Sequence, residues 1–180
     1  MTDQPAGGKG GLGEQVGGVR QFLAEHPDVA QVVDPVVRVR RVGPLGFLAE
    51  DDQGHLVGSD MPVEVGGAAA HMAPGSLLRS ALGTCEATRV AMEAAVRGVE
   101  LSTLEVEVES TSDHRGLFGI ADAEPGPLTM AVRYRLASPT ASKDELHALV
   151  TEPGFRSPVL SALTRIVAVD IDIAPGSGRR

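Results

Sequence analysis

The chain has no tryptophan, one tyrosine and four phenylalanines in 180 residues. Its core must therefore be filled by Val, Leu, Ala and Ile, and a 42% hydrophobic content supplies enough of them. It has one cysteine, Cys85. A lone thiol cannot close a disulfide within its own chain, nor build a thiolate zinc cluster. Any redox chemistry at Cys85 must use a sulfur from outside. The five histidines show no H-x-x-x-H spacing, so no metal site is indicated. Basic residues are outnumbered 16 to 24, and a net charge of −8 argues against nucleic acid or an anionic membrane as partner. No apolar run approaches the roughly 20 residues that cross a bilayer. The opening MTDQPAGGKGG lacks the apolar stretch of an export signal. One cysteine and no such signal fit a reducing cytoplasm. The early GGKGGLG follows no strand, so it reads as linker rather than phosphate loop, and no cofactor is expected.

What is present suits one compact domain with short appendages. Residues 1–35 read as a Gly-rich tail and a short helix, carried by Val16, Val19, Phe22 and Leu23 at helical spacing. Residues 36–174 form the domain, and 175–180 a second tail. From Val36 to Val65 the texture is a β-meander broken at Gly43-Pro44 and at Asp51-Asp52-Gln53-Gly54. The strongest element is a helix from Pro74 to Arg97. Leu78, Ala81, Leu82, Cys85, Thr88, Met92 and Val96 recur along one stripe, and Gly98 suits the terminating cap. Two alternating strands follow, Leu104 to Val108 and Leu128 to Leu136, whose outer glutamates and arginines can pair. Ser142-x-x-Glu145 marks a capping box for a helix ending near Glu152, and Ser157-Pro158 opens another. Val167, Val169, Ile171 and Ile173 predict a last strand. Helices segregated from mostly antiparallel strands make the class α+β.

Several strings, in order, resemble the OsmC/Ohr family of thiol-dependent organic hydroperoxide reductases. They are Gly54-His55, Asp60-Met61-Pro62, Gly66-Gly67, Ala73-Pro74-Gly75-Ser76-Leu77-Leu78, Ala81-Leu82-Gly83-Thr84-Cys85, Arg97-Gly98-Val99 and Ser157-Pro158-Val159. The resemblance implies an intertwined homodimer with mostly antiparallel sheets, a long central helix from each chain, and sites at the subunit interface. It makes Cys85 the peroxidatic thiol of a peroxiredoxin-like cycle in oxidative-stress defence. The thiolate attacks a hydroperoxide and becomes a sulfenic acid, which a thiol then reduces.

Three of the family's parts differ here. Its second cysteine is Ser157, the glutamate after the helix-opening proline is Gly75, and no Arg or Lys lies between Arg41 and Arg79. Asp113-His114-Arg115-Gly116-Leu117-Phe118-Gly119 is similar to a motif of an OsmC-like subgroup that also carries Ser-Pro-Val. That resemblance offers Arg115, with Asp113, as the activating cation and His71 or His114 as a base. A turn with a surface ion pair is the ordinary reading of Asp113 and Arg115. Two functions therefore stay open. One is a one-cysteine peroxidase reducing organic hydroperoxides with an external thiol. The other is a non-enzymatic dimer that binds a small apolar ligand at its interface, with Cys85 as lining.

Overall fold

A computed structural model describes residues 10–173 of the chain. Helix α1 (Leu12–Glu25) comes first, followed by a three-stranded antiparallel meander of β1 (Arg38–Arg41), β2 (Phe47–Glu50) and β3 (Leu56–Ser59). Asp51 makes the β2–β3 turn: its carboxylate accepts from the Gln53 and His55 backbone N–H groups and pairs with the exposed His55 ring at 2.8 Å. The central helix α2 (Pro74–Val96) begins at its proline and ends where Gly98 adopts φ +69°.

The long hairpin of β4 (Thr103–Ser112) and β5 (Pro127–Ala137) is antiparallel and sets Glu105 opposite Arg135. The expected cross-strand pairs form, Arg135 with Glu105 and Arg133 with Glu109, each at 2.6 Å on an exposed face. The one-turn helix α3 (His114–Leu117) closes this hairpin. The capping box at Ser142 and Glu145 starts α4 (Lys143–Thr151), and Ser157 caps α5 (Pro158–Thr164).

The core is small. Val90 and Ala94 of α2 and Leu149 of α4 are buried together, with Leu101, Leu104, Tyr134 and Leu136 packed against them. This places one face of α2 against the hairpin and α4, which is what fixes the surroundings of Cys85. The buried face is Leu82, Glu86, Arg89, Val90, Glu93 and Ala94. That face is rotated from the predicted stripe, whose Ala81, Thr88 and Val96 are exposed. The rotation brings three charged residues inside, each neutralised by a partner described below.

A second difference lies at the end of the described chain. Residues 166–173 keep the alternating pattern but form no strand, and Ile166, Val169, Ile171 and Ile173 are 77–100% exposed. A strand exists only as a member of a ladder, and among the described residues no edge takes this one up. The meander is similarly bare, with Val39, Leu56 and Val57 exposed.

Candidate functional site

The site forms where α2 meets the α4–α5 turn. Two polar side chains of α2 hold that turn in place. Arg89 donates to the Leu149 carbonyl near the end of α4 at 3.3 Å. Glu93, one turn further on, accepts from the Gly154 and Phe155 backbone N–H groups at 2.7 and 3.1 Å, and from Arg97 at 2.7 Å. With 154–155 pinned, the chain enters α5 at Ser157, whose hydroxyl accepts from the Leu160 N–H at 3.1 Å. The same hydroxyl donates to the Cys85 sulfur at 3.2 Å. Ser157 is buried and Cys85 half-buried. The structure thus joins two residues 72 positions apart.

Beside this contact is a buried ionic group. Glu86 is 1% exposed and Arg89 7%. One oxygen of Glu86, Oε2, accepts from Arg89 Nε at 2.9 Å and from the Tyr134 hydroxyl at 2.5 Å. The other, Oε1, is buried without a hydrogen bond. Burial pushes the Glu86 carboxyl up, but the Tyr134 hydroxyl and the Arg89 guanidinium together hold it below the ordinary glutamate value. Burial and the adjacent Glu86 push the Tyr134 phenol up, so it stays a protonated donor. The guanidinium nearest Cys85 in sequence is thus committed to a carboxylate. Sequence reasoning missed Glu86, Arg89 and Tyr134. The available signal was Glu and Arg at i and i+3 beside a cysteine on a helix otherwise rich in small and apolar residues.

The other named residues lie apart from the sulfur. Arg115 and Asp113 pair through a bidentate contact, with Arg115 Nε 3.0 Å from both carboxylate oxygens. Asp113 also caps α3 through the Arg115 N–H. Gly116 admits no side chain because the Glu124 carbonyl lies against it. The motif Asp113–Gly116 therefore builds the hairpin end. His71 is exposed and its ring packs on Gly58. Among the described residues, no hydrogen bond links His71, Asp113, His114 or Arg115 to Cys85. The loop 60–72 is organised instead by Asp60, buried, which accepts from the N–H groups of Met61, Ala68 and Ala70. Arg79, the first cation after Arg41, bonds Ser76 and Ser110 at 2.9 and 3.1 Å. No group of three His, Cys, Asp or Glu residues suited to a metal occurs among the described residues. No described helix is long and apolar enough to cross a membrane.

A half-buried helical thiol that receives a hydroxyl hydrogen bond has a donor already placed for a thiolate or for the oxygen of a sulfenic acid. It has no sulfur partner. Known proteins give this arrangement a context. No curated protein matches the sequence. Among solved structures, the OsmC-like protein of Mycoplasma pneumoniae is similar at 18% identity and a TM-score of 0.62, with 74% of this chain and 89% of that one covered. The organic hydroperoxide resistance protein OsmC of Legionella pneumophila is similar at 19% identity and a TM-score of 0.53, covering 74% and 90%. These likenesses bear on the fold, α+β with antiparallel sheets about a long helix. The family model described as OsmC-like protein matches residues 66–172, which take in α2, Cys85, the hairpin and Ser157. The chain belongs to the OsmC-like family.

Proposed function

We propose that this chain is a homodimeric, one-cysteine peroxidase of oxidative-stress defence that reduces organic hydroperoxides, with Cys85 as the reacting thiol. The observation that carries this reading is the Ser157 hydroxyl aimed at a half-buried Cys85 sulfur. The thiolate attacks the distal oxygen, the O–O bond breaks, and the alcohol leaves with a proton, converting Cys85 to a sulfenic acid. Ser157 donates to the sulfur and has no sulfur of its own to displace the hydroxyl. An external thiol therefore condenses with the sulfenic acid and releases water. A second equivalent cleaves the mixed disulfide and restores Cys85. No step is assigned to His71, Asp113 or Arg115, which do not bond the sulfur within the chain.

The test is consumption of cumene hydroperoxide with dithiothreitol. Wild type is expected to turn over, and Cys85→Ser to fall to the uncatalysed background. Equal rates in the two proteins would sink the reading. They would support a second one, favoured by serine standing at 157: a non-enzymatic dimer that binds a small apolar ligand, with Cys85 as lining.

The dimer is supported by surface. Apolar side chains stand exposed on the meander, at Val39, Leu56 and Val57, and along residues 166–173, at Ile166, Val169, Ile171 and Ile173, and contiguous apolar surface of this kind marks an interaction face. Sedimentation velocity should give twice the 18.7 kDa chain mass, and a single-chain mass at micromolar concentration would contradict the proposal.

A further inference from the structure

Helix α1 lies outside the residues matched to the family, and it is docked rather than loose. Gly13 meets the Ala95 carbonyl of α2 so closely that no side chain fits there. The docking leaves a groove of about 600 Å³ between α1, α2 and the turn at 154–156. That volume falls within the roughly 300–1,000 Å³ of small-molecule sites. Its walls are apolar: Val19 and Leu23 of α1, Met92 of α2 and the Phe155 ring.

Two guanidiniums, Arg20 and Arg156, also line the groove. Arg20 lies over the Phe155 ring at 5.5 Å from its centroid. Neither arginine has an ion-pair partner among the described residues, in a chain of net charge −8. Glu93, the carboxylate of the adjoining turn, is already held by Arg97, Gly154 and Phe155. A planar guanidinium presents paired donors suited to a carboxylate. Apolar walls and two guanidiniums without an ion pair among the described residues together describe a ligand with an aliphatic tail and an anionic head.

We propose that the groove under α1 binds an aliphatic carboxylate, its head on Arg20 and Arg156 and its tail against Val19, Leu23 and Met92. The site adjoins the thiol without including it. Met92 follows Cys85 by seven residues on α2, about 10 Å at the helical rise, and Arg156 directly precedes Ser157. The proposal does not depend on whether Cys85 reacts.

Decanoate is the probe, titrated calorimetrically into the full chain. Wild type should bind it, and the exposed double substitution Arg20→Ala, Arg156→Ala should weaken binding about tenfold or more, the scale of a lost charge-assisted pair. Decan-1-ol should bind both proteins equally weakly, and Cys85→Ser should bind decanoate as wild type does. Unchanged thermal unfolding of the double variant confirms that the loss is local. No decanoate binding to wild type, equal binding by the double variant, or decanol binding as tight as decanoate would each overturn the proposal.

Discussion

Glu86→Ala is expected to destabilise the fold by about 3–5 kcal/mol, because it strands a buried guanidinium without its carboxylate. Arg89 is 7% exposed and keeps only neutral acceptors, the Leu149 carbonyl and the Tyr134 hydroxyl. Neither supplies a countercharge. Tyr134 in turn loses the acceptor of its 2.5 Å bond. Replacing both charges, as in Glu86→Leu with Arg89→Met, should recover most of the loss, since a well-packed apolar pair often substitutes for a buried ion pair.

The measurement is urea unfolding at neutral pH and matched protein concentration, read as a midpoint shift at constant slope. A loss under about 1 kcal/mol would remove the pair from the framework of the fold. Acid supplies a further check. The folded carboxyl titrates below its ordinary value of 4.5, burial notwithstanding, because Tyr134 and Arg89 stabilise the anion. Its contribution is thus fully present above about pH 4.5 and is lost as pH falls through the folded value. The gap between wild type and Glu86→Gln should narrow in that acid window.

Ser157→Cys is expected to convert the contact with Cys85 into an intramolecular disulfide. The oxygen at 157 already lies 3.2 Å from the sulfur. A thiol on the same backbone needs only a small side-chain rotation to reach bonding distance, about 2.0 Å. The bridge joins residues 72 positions apart, and the chain-entropy account gives about 4 kcal/mol for a loop of that length. The weaker N-cap on α5 takes back about 1 kcal/mol. Thiol titration after mild oxidation should find no free sulfhydryl, against one per chain in wild type. Two free thiols under the same conditions would show that the α4–α5 turn does not hold position 157 against α2. In the proposed cycle the new cysteine would also resolve the sulfenic acid internally, making turnover less dependent on the concentration of external thiol.

Local signals specify much of this fold. Pro74, Gly98, the Ser142–Glu145 box and Ser157-Pro158 each act within one helical turn, and each marks the boundary observed. The alternation of the β4–β5 hairpin even anticipates its charge pairs. The buried face of α2 was not legible in this way. Glu86 and Glu93 read as solvent-facing until their partners are known, and Tyr134 and Gly154 lie 48 and 61 residues away. A hydrophobic stripe ranks residues singly, whereas these charges are tolerated inside only as satisfied sets. The meeting of Cys85 with Ser157 was suggested by family resemblance and by no periodicity. Asp113 and Arg115 show the reverse case: the ordinary reading of a turn with an ion pair describes their geometry fully.

The unpaired segment 166–173 has a kinetic consequence. An alternating apolar segment with no edge among the described residues must find one elsewhere, and in the proposed dimer that edge belongs to a second copy. Completing the fold is then second order in chain concentration, slowing on dilution while the local helices form at their usual rate. During that delay Val169, Ile171 and Ile173 form an open template for indiscriminate strand addition. Newly made chains therefore keep this template open longest when the protein is scarce, before a correct partner is met.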